Sequence, residues 1–168
     1  MRFFYLLSVW LHILAAATWI GGMLFLALVV VPSLRRPEYQ SMAAPFVHRL
    51  GLRFRWLGWL CLGLLILSGT FNLIYRGYGW DDLWSGRLWQ GPFGHALGIK
   101  LFLVAVILVL SAMHDFRIGP RATALWQANP ASPEAKRWRR QASWIGRLNL
   151  ILALVVVALA VILVRGWP

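Results

Sequence analysis

The chain has 168 residues, of which 60% are hydrophobic and 13% charged, with a mean hydropathy of +0.67 and a formal net charge of +12. This composition is typical of an integral membrane protein and excludes an ordinary soluble domain. The excess of arginine also raises nucleic acid as a partner. Because the arginines flank apolar segments, membrane topology and anionic lipid explain them, and no nucleic-acid partner is expected.

The first apolar segment runs from about residue 3 to residue 31 without a charged side chain, longer than the roughly 20 residues a membrane-spanning helix needs. His12 lies about 13 Å along this helix and therefore inside the hydrocarbon region. At about 100° per residue, Tyr5, Ser8, Trp19 and Met23 share a narrow stripe with His12. We expect this stripe to face protein, because an ionisable side chain at this depth needs a partner.

Three further apolar segments lie at about residues 56–75, 95–114 and 144–164. Together with the first they predict four membrane spans, and we expect residues 1–168 to form a single transmembrane domain.

Two of these spans have predicted helical extensions. Residues 38–55 mix arginines and His48 with apolar side chains, which is typical of an amphipathic lead-in at the membrane surface before span 2. Ser132, Pro133 and Glu134 form a helix-start pattern, so the fourth helix is expected to begin outside the membrane.

Basic residues are concentrated between spans 1 and 2 and between spans 3 and 4. Between spans 2 and 3, Arg76 and Arg87 are offset by Asp81 and Asp82. The positive-inside rule therefore places the first and third loops in the cytoplasm. The predicted fold class is an all-α, four-helix antiparallel membrane bundle with both termini periplasmic.

This topology sorts the ionisable candidates by depth. His12 and His95 belong to the outer half of the bundle, whereas His48 and His114 belong to its inner surface. Lys100 lies one and a half turns into span 3, where a lysine either marks a functional site or extends to the interface. On the helical wheel Lys100 lies about 140° from His95, so the two side chains cannot both point at one small ion.

Several motifs carry a resemblance to a known family. They are Leu-His-Ile at residues 11–13, Ala-Thr-Trp-Ile-Gly-Gly at 17–22, Leu-Ser-Gly-Thr-Phe-Asn at 67–72, Gly-Ile-Lys-Leu at 98–101 and His-Asp-Phe-Arg-Ile-Gly-Pro-Arg at 114–121. Together they resemble the copper-resistance protein D (CopD) family. The resemblance implies a multi-pass protein of the bacterial inner membrane that serves copper homeostasis or transport, with a periplasmic copper carrier or a larger membrane complex as partner.

The same pattern is similar to the HemJ type of protoporphyrinogen oxidase, a four-helix membrane family that binds b-type haem. His12, Trp19 and Lys100 match residues of that family. The chain departs from it at residues 26–29, which read Leu-Ala-Leu-Val where the family has an arginine. This resemblance implies haem b as the cofactor, with His12, Trp19 and Lys100 as cofactor-binding residues. His95 is a further candidate cofactor-binding residue, because imidazoles from facing helices can supply haem ligands.

Three hypotheses for function follow, and the sequence leaves them open. In the first, copper passes through the bundle by way of His12 and His95, with Met23 or Met113, since imidazole and thioether groups suit Cu(I). The remaining candidate metal ligands are His48 and His114. In the second, a histidine is an axial ligand of haem, Trp19 lines the macrocycle and Lys100 meets a propionate.

In the third hypothesis, His12 only hydrogen-bonds Ser68 or Asn72, and the chain is an accessory subunit of a larger complex. An enzyme is less expected than a binding protein, because the sequence has no phosphate loop, no His-Glu-x-x-His and only five carboxylates, none of them within a predicted span. If the chain is an enzyme, the second hypothesis makes it a haem-dependent oxidoreductase.

Overall fold

The structure is a computed structural model that describes residues 2–165, apart from the side chain of Arg165. All regular secondary structure within this range is helical. Four helices are long and apolar enough to cross a membrane, namely Arg2–Ser33, Pro37–Tyr75, Gly91–Ala128 and Pro133–Val164, here called spans 1 to 4. The predicted all-α, four-span fold class is confirmed. The membrane boundaries along each helix and the single-domain assignment stay predictions.

Spans 1 and 3 each contain a π-helical turn, at Leu26–Val30 and at His114–Ile118. Each turn lies just before a proline, Pro32 or Pro120, whose nitrogen cannot donate to the carbonyl four residues earlier. Local widening of the helix is one way in which membrane helices accommodate that missing bond. The helices therefore continue through both prolines.

The predicted extensions of spans 2 and 4 are both helical. A 3₁₀ turn at Pro37–Tyr39 leads into the helix Gln40–Tyr75, which continues through the lead-in and through Pro45 without a break. The last helix begins at Pro133, and the Ser132 hydroxyl accepts a hydrogen bond from the backbone N–H of Ala135. This bond confirms the predicted helix start, since a serine in this position caps the first turn.

The spans pack as two neighbouring pairs, with span 1 against span 2 and span 3 against span 4, and span 1 also contacts span 4. At one end of the first pair, the rings of Tyr5 and Tyr75 stack at 4.2 Å between centroids. At the other end, the ring of Phe54 lies against Gly22. Residues early in span 1 thus meet residues late in span 2, which makes the pair antiparallel.

A small buried core joins all four spans. It consists of Ala15, Trp19, Cys61, Leu62, Ile107 and Ala153. The predicted stripe on span 1 faces this core: Ser8 and Trp19 are buried, and Met23 packs against the cluster. Large apolar side chains elsewhere point outward, as expected where the surroundings are lipid.

The two ends of the bundle carry different structures. Between spans 2 and 3, a short helix Trp80–Trp84 presents two exposed indoles, Trp80 and Trp84, which is typical of a loop at the membrane interface. Between spans 3 and 4, a helical hairpin is joined by arginine–indole contacts, with the Arg139 guanidinium 3.7 Å from the Trp126 ring centroid. Such contacts stabilise the hairpin while leaving its charges near the membrane surface.

Candidate functional site

The candidate site is centred on a hydrogen bond between spans 1 and 2. Nδ1 of His12 lies 2.8 Å from the Ser68 hydroxyl oxygen. The same hydroxyl donates its one proton to the carbonyl of Leu64, one helical turn earlier. The Ser68 oxygen must therefore accept from the imidazole, so Nδ1 of His12 carries a proton. In the neutral ring this leaves Nε2 with a free lone pair, the form that binds metals.

The surroundings hold this arrangement in place. Ser8, one turn before His12, donates from its hydroxyl to the carbonyl of Ser68 at 3.3 Å. A Cβ atom on Gly69 would lie 3.4 Å from Cε1 of His12, so the imidazole edge packs against the bare backbone of span 2. Three turns away, Gly58 receives the Trp19 ring in the same way, at 3.6 Å. Glycine thus lets both rings of span 1 approach span 2 closely.

Lys100 of span 3 is half-buried, and it lies close enough to His12 and to Arg76 for their charges to interact. Arg76, at the end of span 2, lies over the ring of Phe93 at 6.0 Å. The predicted spans contain no Asp or Glu, so no carboxylate within them can neutralise the charge of Lys100. Lys100 and His12, two of the predicted site residues, therefore belong to one region of the bundle.

His95 lies on a different surface. Its side chain is exposed and lines an apolar groove of about 530 Å³ between spans 3 and 4, beside Ile99, Leu159 and Ile162. Across residues 2–165, no hydrogen bond joins His95 to His12. The structure therefore shows no hydrogen bond between the two histidines that were predicted to act together, and their roles as ligands stay predictions.

The two histidines predicted at the inner surface differ in their surroundings. His48 is exposed on the lead-in to span 2. His114 lies in the π turn of span 3, with Nδ1 3.0 Å from Oδ1 of Asp115. The other oxygen of Asp115 accepts a 3.0 Å hydrogen bond from the Trp59 indole of span 2. Sequence reasoning did not identify Trp59, because nothing in a helical wheel pairs residues of two separate spans.

Two further donors that suit copper, Cys61 and Met23, lie in the core, whereas Met113 is 44% exposed. Cys61 is buried beside Trp19, and Met23 packs against the same cluster. Among the described residues, no group of three or more His, Cys, Asp or Glu side chains is gathered at one point. The structure thus shows individually oriented imidazoles rather than a closed cage of protein ligands.

Comparison with known proteins identifies the family of the chain. Residues 48–163 match the family model for Copper resistance protein D. The chain belongs to the CopD family. A protein of Aquifex aeolicus (strain VF5), described only as an uncharacterized protein, is 33% identical over 163 residues, which cover 96% of each chain. No solved structure matches the chain significantly.

The predicted resemblance to the CopD family is therefore confirmed, and this CopD-family chain is a multi-pass membrane protein related to copper resistance. The matched residues cover His48, His95, Lys100 and His114 but begin after span 1. His12 and Trp19 lie outside the match, so the case for His12 rests on its geometry rather than on the family.

Proposed function

We propose that this CopD-family protein handles copper in the bacterial inner membrane, and that Nε2 of His12 binds the ion in the outer half of the bundle. The observation that carries the proposal is the Ser68 hydroxyl, which donates to Leu64 and so accepts from Nδ1 of His12. Ligating histidines commonly donate their other ring N–H to a fixed acceptor, which sets the tautomer and the ring orientation. Imidazole is a suitable ligand for copper.

Access to the site supports the same proposal. A groove of about 280 Å³ runs between spans 1 and 2, and its lining includes Ser8, Leu11 and Ser68. Ser68 is the residue whose hydroxyl meets Nδ1 of His12, so the groove reaches the residue that orients the imidazole, although His12 itself does not line it. With both termini periplasmic, His12 would receive copper from the periplasmic side, and a periplasmic copper carrier is the expected partner.

A second candidate function, binding of b-type haem, is favoured by one specific observation. Lys100 lies near His12 and Arg76 lies near Lys100, so a carboxylate-bearing ligand at His12 could neutralise cations on its way to the end of span 2. His12 would then serve as an axial ligand through the same Nε2 atom, and the two cations would hold propionates. Bound haem would supply one-electron transfer.

Optical spectroscopy with metal analysis separates the two functions. The full-length protein is purified in detergent, copper and iron are quantified, and spectra are recorded before and after reduction. Copper handling predicts copper that is retained by wild type and by Thr70→Ala, reduced by one equivalent in His12→Ala, and unaccompanied by a Soret band. Thr70 is a suitable control because it is exposed on the same helix as Ser68.

A Soret band that His12→Ala abolishes would overturn copper in favour of haem. The Lys100→Met variant is a second, independent way to distinguish copper from haem. Removing a nearby positive charge should strengthen binding of a copper cation but weaken binding of a carboxylate-bearing haem. If wild type binds neither ligand, both proposals fail and the accessory-subunit hypothesis is favoured.

A further inference from the structure

A second imidazole, that of His114 on span 3, is held in a manner similar to that of His12. Nδ1 of His114 lies 3.0 Å from one carboxylate oxygen of Asp115. The indole N–H of Trp59 donates to the other oxygen at 3.0 Å. Trp59 belongs to span 2 and Asp115 to span 3, so this contact fixes the carboxylate from across the bundle.

The hydrogen bonds define the tautomer of His114. An ionised carboxylate can only accept, so the atom of His114 that faces Asp115 must be a protonated Nδ1. In the neutral ring, Nε2 then keeps its lone pair. A carboxylate that holds Nδ1–H while Nε2 faces a ligand is the arrangement commonly found behind metal-bound histidines.

The backbone around His114 leaves room on the imidazole side. A Cβ atom on Gly119 would lie 2.9 Å from the His114 carbonyl oxygen and 3.9 Å from Cε1 of its ring. Any larger residue at position 119 would therefore press on the π turn that presents His114. The His114 side chain is 35% exposed, so its imidazole is not sealed inside the bundle.

We infer that His114 is a second copper site, at the inner end of the bundle, and that Asp115 and Trp59 position it. The inference rests on the proposed copper function and extends it. Ser68, which meets His12, and Trp59, which meets Asp115, are nine residues or about 13.5 Å apart along span 2, so the two imidazoles present the same type of nitrogen at different depths. His12 then receives the ion, and His114 releases it to an acceptor on the cytoplasmic side.

The partial exposure of His114 fits release rather than storage. No cage of three or more ligating side chains forms around it within residues 2–165. The remaining coordination positions stay open to water or to a ligand of the acceptor, and an open position is what allows an ion to be exchanged. Asp115 and Trp59 act through His114 and are positioning residues, since both carboxylate oxygens are already engaged.

The test is nitrogen NMR of the whole chain in detergent, labelled with ¹⁵N-histidine. The sequence contains four histidines, so their signals can be assigned with four single His→Ala variants. Silver(I) serves as the probe because it resembles Cu(I) and does not change oxidation state. We expect His114 to show a protonated Nδ1 before silver is added, and its Nε2 signal to shift on addition.

Variants of the positioning residues sharpen the test. Asp115→Asn and Trp59→Phe should weaken silver binding at His114 by about 10-fold to 100-fold while the His12 signal still shifts as in wild type. Trp56→Phe is the matched control, because Trp56 lies on the same helix and is 80% exposed. A merely structural Trp59 would alter folding but not the titration of one histidine.

The outcomes separate this inference from the proposed function. A shift at His12 without one at His114 overturns the inference and leaves the proposed function standing. A shift at His114 alone supports an inner site and contradicts the role of His12. A His114 ring that carries its proton on Nε2, or that stays unchanged under excess silver, also overturns the inference.

Discussion

The imidazole of His12 and the hydroxyl of Ser68, 56 positions apart in the chain, meet at 2.8 Å between spans 1 and 2. The bond does two things. It joins the spans, as the structural hypothesis for His12 predicted, and it leaves Nε2 free for a ligand. A helix-joining role and a ligand role are therefore compatible in the same residue.

Removal of the Ser68 hydroxyl should weaken copper binding without abolishing it. In Ser68→Ala, Nδ1 of His12 loses its acceptor, and neither the tautomer nor the ring orientation stays fixed. We expect affinity at His12 to fall by about 10-fold to 100-fold, as measured by Cu(I) competition with a chromogenic chelator. Thr70→Ala should bind as wild type does. Equal affinity in Ser68→Ala and wild type would show that Ser68 does not orient the ligand.

Gly94 is the glycine that should tolerate alanine least. A Cβ atom there would collide with the backbone of Leu88 and Trp89, where the loop after span 2 turns into span 3. Because backbone cannot move aside cheaply, Gly94→Ala should destabilise the protein by about 1–3 kcal/mol. Gly63→Ala is the control, since nothing lies within 4 Å of the added atom. Thermal unfolding in detergent compares the two, and equal midpoints would contradict the packing described.

Asp82→Ala should destabilise the loop between spans 2 and 3 more than Arg87→Ala does. One oxygen of Asp82 accepts from the Gly79 N–H at 2.7 Å, and the other lies 2.6 Å from Nε of Arg87. Asp82→Ala loses the helix cap and the ion pair, at a cost of about 1–2 kcal/mol. Arg87→Ala loses only a pair whose arginine side chain is 69% exposed, at a cost of about 1 kcal/mol or less.

Hydrogen exchange of residues 79–89 measures this difference directly. Faster exchange in Asp82→Ala than in Arg87→Ala is the expected result. The reverse order would mean that the ion pair, rather than the cap, holds the short helix Trp80–Trp84.

The orientation of the bundle can be tested with single cysteines. The only native cysteine, Cys61, is buried and is replaced by alanine. Ser85→Cys then probes the loop between spans 2 and 3, and Ala131→Cys the hairpin between spans 3 and 4; both positions are exposed. In spheroplasts, an impermeant maleimide should label Ser85→Cys but not Ala131→Cys. The opposite pattern would place both termini in the cytoplasm.

The positions of the four spans follow from simple patterns in the sequence, whereas the continuation of span 3 from the predicted end near residue 114 to Ala128 does not. A charge-free run at the start of the chain predicts a spanning helix, and a stripe at 100° spacing predicts which face of it is buried. Ser8 and Trp19 lie on that stripe and are buried as expected. The hairpin is predictable in part, since Ser132 and Pro133 mark the start of its second helix.

The partners across the bundle are harder to predict. A helical wheel gives the angle between two residues of one helix, but it does not say which neighbour each face meets. Thus Lys100 and His95 were predicted to diverge, and only the structure shows that Lys100 lies near His12 and that His95 lines a groove between spans 3 and 4. Asn149, buried and donating to Ser111 at 2.8 Å, is another link between spans that no pattern within a single helix reveals.

The central claim is that Nε2 of His12 binds copper. An anaerobic Cu(I) titration of wild type and His12→Ala tests it most directly. The two proteins are compared in the same detergent, with bound copper quantified after removal of excess ion. We predict that His12→Ala binds one equivalent fewer than wild type while keeping its thermal unfolding midpoint within a few degrees. Equal copper content in the two proteins would contradict a ligand role for Nε2 of His12.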